Sequence, residues 1–228
     1  MLVTIKSING KSAQFHIKDK NEHIQRCWNS GRFYESHKNS ILAYLMQNKE
    51  RYQNKTCLDI GASIGNHTVY FSKILNCKVT SFEPVLSSFL HLKENCELNN
   101  IDPTLHNIGL GEKKGKVGVR NNSKAHYNVG MFQIIDGDDI EIDALDNVFE
   151  GQVDFIKIDV EHYNIPLLLG AKEVLRSQNK CDVFIECESK EIFDSTNNIM
   201  QSYGYKLVKN VVLNHTPTYL WRKIQKSS

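Results

Sequence analysis

The chain has 228 residues and a mass of 26.2 kDa, with 40% apolar and 24% charged residues and a net charge of +2. That size holds one good core and leaves little room for a second, and the composition excludes disorder, collagen and coiled coil as readings of the whole chain. The 28 basic and 26 acidic residues nearly cancel, so the basic surplus of a dedicated nucleic-acid binder is missing and a nucleic-acid partner is not expected. No stretch reaches the ~18 uncharged apolar residues that a membrane span needs. Met1-Leu2-Val3-Thr4-Ile5-Lys6 opens without a basic segment and a long apolar run, so no secretory leader is expected. Cys27, Cys57, Cys77, Cys96, Cys181 and Cys187 contain no CxxC pair. They read as reduced thiols filling apolar space in a cytoplasmic protein.

The first fifty residues read as an extension. Leu2 to Ile8 and Ala13 to Ile17 alternate around the turn dipeptide Asn9-Gly10, which predicts a β-hairpin. Ser40 to Gln47 reads as a helix. From residue 51 to the end the pattern becomes strand, turn, helix, as expected of a single compact domain. Thr56 to Ile60 is a short apolar run, followed by a helix over His67 to Leu75. Lys78 to Glu83 is a second strand, and the helix after it spans Val85 to Leu98. Leu105 to Leu110 is a third strand, and Val153 to Asp159 a fourth with a helix over Pro166 to Ser177 behind it. Asp182 to Glu186 is a fifth, followed by a helix around Ile192 to Tyr203. Tyr205 to Leu213 and Thr218 to Lys223 close the chain as two strands joined by Asn214-His215-Thr216-Pro217.

Short buried strands alternating with helices predict a mostly parallel α/β sheet covered on both faces. The last two strands have no helix between them, which predicts an antiparallel strand at one edge. Together these describe the Rossmann-like class I methyltransferase fold: seven strands, helices on both faces and a small N-terminal hairpin and helix. Ligands in such sheets lie beyond the carboxyl ends of the strands.

The motifs stand at those ends. Asp59-Ile60-Gly61-Ala62-Ser63-Ile64-Gly65-Asn66 follows the first domain strand and opens a helix. Its spacing is GxxxG, without the GxGxxG that grips a dinucleotide pyrophosphate. A ligand without phosphates suits it better. Glu83 ends the next strand, where a carboxylate accepts both hydroxyls of a ribose. S-adenosylmethionine has the ribose, an amino-acid tail and no phosphates.

At these residues the chain resembles the FkbM family of S-adenosylmethionine-dependent O-methyltransferases. The matching stretches are Leu58 to Thr68, Ser81-Phe82-Glu83-Pro84, Asn107 to Gly111, Ile142-Asp143-Ala144-Leu145 and Phe155 to Glu161, with Gly31-Arg32-Phe33-Tyr34-Glu35 upstream. The resemblance runs from about residue 30 to 205. It implies methyl transfer to an oxygen, often of a sugar or other small polyhydroxylated acceptor. It also implies that Asn107 meets the adenine edge. Where the family continues Asp-Val-Glu-Gly-x-Glu, this chain has His162 for the glycine and Asn164 for the second acid.

The donor site is therefore expected from Asp59, Gly61, Ala62, Ser63, Gly65, Asn66, Glu83 and Asn107. Asp59 and the loop would take the methionine end, and Glu83 the ribose. A neutral sugar hydroxyl is a poor nucleophile, so a general base is expected among Asp159, Glu161 and His162. Histidine suits the role because its ordinary pKa lies near neutrality. Glu186 and Glu188 alternate around Cys187 and can share a strand face. Residues 121 to 132, with His126, Tyr127 and Met131, read as a loop that lids the acceptor. The nine histidines include no HxH or HExxH spacing, so no resident metal is expected, a divalent ion on Asp159, Glu186 and Glu188 being the lesser alternative. Rival readings are RNA or protein methylation on the same fold and a non-catalytic cofactor-binding module. Asp159-Val160-Glu161-His162 stands where amino-group methylases carry an Asn-Pro-Pro-Tyr tetrad, which weighs against the first.

Overall fold

The strands at the middle of the sheet, Thr56–Ile60, Phe155–Ile158 and Asp182–Glu186, are buried on both faces, as expected where helices lie above and below. The computed structural model describes residues 1–7, 9–121, 132–212 and 216–223. At the N-terminus, β1 (Leu2–Lys6) and β2 (Ser12–His16) form the predicted antiparallel hairpin, with Gly10 in the turn at φ +83°. The short helix α1 (His23–Asn29) follows, capped by Glu22, whose carboxylate accepts from the N–H groups of Ile24 and Gln25. Phe15 of β2 stacks on Trp28 of α1 with ring centroids 4.2 Å apart. The helix α2 (Ile41–Gln47) is capped by Ser40, and one turn, α3 (Lys49–Tyr52), leads into the domain.

The domain then runs β3 (Thr56–Ile60), α4 (Asn66–Val69) continuing as a π-type turn over Tyr70–Ile74, β4 (Lys78–Phe82), α5 (Leu86–Leu98) and β5 (Thr104–His106). Next come β6 (Gly109–Leu110), β7 (Gly115–Asn121), β8 (Phe132–Asp143), α6 (Leu145–Val148) and β9 (Phe155–Ile158). The chain closes with α7 (Asn164–Gly170), α8 (Lys172–Ser177), β10 (Asp182–Glu186), α9 (Lys190–Ser202), β11 (Tyr205–Val212) and β12 (Thr218–Lys223).

The main sheet has seven strands in the order β11-β12-β10-β9-β3-β4-β5. From β10 to β5 all pairings are parallel, while β12 runs antiparallel to both β10 and β11. The antiparallel strand thus lies one place in from the edge, because β12 of the closing hairpin inserts beside β10 and leaves β11 outside. Alternation along each strand feeds two cores. Cys57, Phe155 and Phe184 face the side covered by the N-terminal extension and Phe71, while Leu58, Ile156 and Val183 face the side covered by α7 to α9.

One predicted strand is divided. The strand read over Leu105 to Leu110 is two: β5 stays in the main sheet, and β6 leaves it for a second sheet of order β6-β8-β7. The strands β7 and β8 carry no clean apolar alternation, since Gly118, Gly137, Asp138 and Asp139 interrupt it, and they are not among the strands expected from the sequence. The lid expected over 121–132 lies outside the described residues from 122 to 131. Among the described residues no helix is long and apolar enough to cross a membrane.

Asp182 begins β10 fully buried and gathers the edge of the domain. Its carboxylate accepts paired hydrogen bonds from Arg51 at 2.7 and 2.8 Å and from Arg222 at 2.8 and 2.9 Å, and a further one from Tyr52 at 2.7 Å. Burial alone would raise its pKa, but these donors outweigh burial and hold it at about 2. A pKa depressed in the folded state stabilises the fold above the unfolded value near 4, and this contribution is lost as pH falls from about 4 to 2. Asp182→Ala strands two arginines and is expected to cost about 3 kcal/mol. Urea unfolding at pH 7 and at pH 3 checks both statements, since the deficit of the variant should shrink at the lower pH.

Candidate functional site

The carboxyl ends of β3, β4, β9 and β10 converge on one rim. At the end of β3, Gly61 and Gly65 adopt φ +77° and +94°, in the left-handed region that favours glycine. A Cβ on Gly61 would stand 1.8 Å from the carbonyl oxygen of Asp159, and one on Gly65 would stand 2.8 Å from Leu92. The glycines are therefore needed for the turn to pack against β9 and α5, a reason prior to any ligand.

Backbone hydrogen bonds hold the loop. The N–H groups of Gly61 and Ala62 both donate to the Phe82 carbonyl, at 3.0 and 3.1 Å, and Gly65 donates to the Ala62 carbonyl at 3.0 Å. Ser63 has φ +49°, and its N–H donates to Glu83 Oε2 at 2.8 Å. The other oxygen of Glu83 accepts from Val85 N–H at 2.9 Å. The acid at the end of β4 is thus turned inward, over the glycine loop. Burial pushes its pKa up to about 7, against the opposing pull of those two N–H groups and of Lys157.

Asp59 is wholly buried at the base of the loop. Its Oδ2 accepts from Thr68 Oγ1 at 2.6 Å, and Thr68 in turn shares a 2.8 Å hydrogen bond with Ser81. Asp59 Oδ1 and Ser63 Oγ are buried without a hydrogen-bond partner. Asn66 is spent within the protein: Oδ1 accepts from Trp28 Nε1 and Tyr34 N–H, both at 3.0 Å, and Nδ2 donates to the Tyr34 carbonyl at 3.1 Å. It locks the N-terminal extension to the loop. Asn107 is exposed, and its amide donates to the carbonyls of Glu83 and Pro84 at 2.8 and 3.0 Å.

Past β9, Asp159 and Glu161 are half-buried and His162 is exposed. His162 has φ +55°, which explains why the related motif carries glycine at this place. The turn is held by Glu188, whose Oε1 accepts the His162 N–H at 2.7 Å while Oε2 stays buried without a partner. Asn164 donates to the Glu186 carbonyl at 2.7 Å and joins the ends of β9 and β10. Burial, with Asp159 and Glu188 nearby, raises Glu161 to about 7. Burial, with Asp159 and Glu35 nearby, pushes Glu186 well above the usual carboxylate range. Among the described residues no group of three or more His, Cys, Asp or Glu side chains could hold a metal ion.

Two members of this rim were not singled out in the sequence. Lys157 lies inside β9 with its side chain 5% exposed, and its ammonium donates to the Gly61 carbonyl at 2.9 Å. It also lies 3.2 Å from Asp159 Oδ2 and 3.5 Å from Asp59 Oδ1. Burial opposes its charge, but Asp159, Asp59 and Glu35 outweigh that and hold the ammonium above its usual range. Glu35 comes from the N-terminal extension, has φ +53°, and its carboxylate lies 3.0 Å from His67 Nε2. A lysine inside an otherwise apolar strand, Phe155-Ile156-Lys157-Ile158, was the available signal for the first. Glu35 carried no comparable one.

A mostly parallel sheet of this order, with a glycine turn after its first central strand and an inward acid after the next, is the arrangement of the class I methyltransferase fold. The family model described as the methyltransferase FkbM domain matches residues 59–207. The chain belongs to that family. No curated protein matches it. Among solved structures it is similar to a methyltransferase FkbM from Methylobacillus flagellatus KT, with TM-score 0.53 and 20% identity over 74% of this chain and 43% of that one. It thus spans under half of that protein's length. It is also similar to a SAM-dependent O-methyltransferase from Thermotoga maritima, with TM-score 0.55 and 11% identity over 99% of this chain and 78% of that one. A third is a 16S rRNA N2 G1207 methyltransferase from T. thermophilus, with TM-score 0.55 and 12% identity over 99% of this chain and 50% of that one. At these identities the likeness concerns the fold.

The turn geometries give paired expectations. His162→Gly should relieve left-handed strain and raise stability by about 1 kcal/mol. Gly61→Ala should lower it by about 2 kcal/mol or more, because its Cβ has no room. Urea unfolding of the two variants beside the unaltered protein checks both signs.

Proposed function

We propose that this chain transfers the methyl group of S-adenosylmethionine to a hydroxyl oxygen of a sugar or other small polyhydroxylated acceptor. The observation that carries this is the placement of Glu83, held inward over the glycine loop by Ser63 N–H at 2.8 Å. A carboxylate there suits the two hydroxyls of a ribose. Ser63 Oγ, buried and without a hydrogen-bond partner, suits the carboxylate of an amino-acid tail, and Asp59, whose Oδ1 has only the ion pair with Lys157 at 3.5 Å, suits its ammonium. The Ala62 and Gly65 backbone shapes the floor, and Asn66 holds the wall that Trp28 and Tyr34 form. Asn107 keeps its carbonyl oxygen for an adenine edge.

When bound, S-adenosylmethionine supplies a methyl group on a sulfonium, already activated for displacement. The protein has then to hold the acceptor oxygen in line and take its proton. Glu161, with a pKa of about 7 and beside Asp159 and Glu188, has the proton affinity for that task near neutral pH. His162 stands next to it, exposed, in the turn that Glu188 fixes. Asp159, paired with Lys157 at 3.2 Å, is the acid we assign to the acceptor hydroxyls. The carboxylates of Glu35, Asp159 and Glu188 on this rim disfavour a phosphate backbone, which supports a neutral acceptor over RNA.

S-adenosylhomocysteine should bind the purified protein with measurable heat, and Glu83→Gln should weaken binding about tenfold or more. Because Glu83 ionises near 7 in the free protein, affinity should rise as pH passes from 6 to 8. Transfer of labelled methyl to a panel of glycans and small polyols should fall about a hundredfold in Glu161→Gln if this acid takes the proton. Unchanged turnover there, with a comparable loss in His162→Ala, would move the proton to the histidine. Saturable donor binding without transfer to any acceptor would favour the non-catalytic reading.

A further inference from the structure

We infer that Lys157 is a positioning residue for the donor site, its buried ammonium tying the glycine turn to Asp159 on the acceptor side. The inference rests on the donor-site reading above.

The groups around this ammonium come from the ends of two neighbouring strands. Asp59 lies in β3, Gly61 in the turn after it, and Asp159 past the end of β9, at 3.5, 2.9 and 3.2 Å from Lys157 Nζ. The peptide group between Gly61 and Ala62 is held on both sides. Its carbonyl accepts from Lys157, and its N–H donates to the Phe82 carbonyl at 3.1 Å. The next peptide group is held likewise: the Ala62 carbonyl accepts from Gly65 N–H at 3.0 Å, and Ser63 N–H donates to Glu83 at 2.8 Å. Lys157 fixes the first plane of the loop, and Glu83 is registered on the second. The lysine thus braces the loop on which Glu83 is registered.

Core stability gives no reason for a lysine here. Its neighbours Phe155, Ile156 and Ile158 are almost fully buried, and an apolar residue of similar volume generally serves such a place as well as a buried ion pair does. The positive charge also acts on the rim, drawing down the proton affinity of Glu83 and of Glu186 against the burial that raises both. The groups that face Glu83 are the N–H groups of Val85 and Ser63, Lys157 and Asp59. Loss of the lysine leaves Asp59 as the charge among them.

The test is calorimetric titration of the full chain with S-adenosylhomocysteine across pH 6 to 9, for the unaltered protein and for Lys157→Met. The variant is expected to bind about tenfold or more weakly at pH 7, and the rise of affinity with pH should move to higher pH. A purely structural role would leave that midpoint in place. A dissociation constant within about threefold of the unaltered protein, with an unmoved midpoint, overturns the inference alone. Should Lys157→Met not fold, the wild-type protein carries the test through the 15N resonance of the Lys157 ammonium. That resonance should shift over the same ligand concentrations that release heat, and a resonance that stays in place overturns the inference. No heat with the unaltered protein overturns the donor-site reading, and this inference with it.

Discussion

The site depends on how closely the end of β3 approaches the end of β9. The Asp159 carbonyl occupies the space where a Cβ on residue 61 would be, so the two strand ends meet without a side chain between them. That contact places the glycine loop and the acids beyond β9 on one rim. It also leaves Lys157 with the Gly61 carbonyl on one side and a carboxylate on each of two others. Charge and turn geometry are consequences of the same packing.

The N-terminal extension belongs to this arrangement. The matched family region begins at residue 59, yet Trp28 and Tyr34 reach the loop helix through Asn66, and Glu35 reaches His67. The hairpin β1–β2 and the helix α1 hold those residues in place through the stacked pair of Phe15 and Trp28. A segment upstream of the matched region therefore braces the loop helix and adds a carboxylate beside it.

Much of this was legible in the sequence, because its signals are local. The glycine spacing, the acid after the second domain strand and the acids after the fourth each stand at a strand end, and apolar runs mark the strands. The strands β7 and β8 were not legible, since glycines and aspartates dilute their alternation. The break between β5 and β6 was hidden in one apolar run, Leu105 to Leu110. Lys157 and Glu35 take their meaning from Asp59, Gly61 and His67, which lie far from them in the chain, and only folding brings those partners within 4 Å. The strained backbone of His162 is equally silent in the sequence, apart from the glycine that the related motif places there.

The central claim is that Glu83 and the glycine loop receive the adenosyl group of the methyl donor. A crystal structure of the protein with S-adenosylhomocysteine tests it most directly. The account predicts the ribose hydroxyls on the Glu83 carboxylate and the amino-acid tail beside Asp59 and Ser63. Density for the ligand elsewhere, or a Glu83 carboxylate turned away from the ribose, would contradict it.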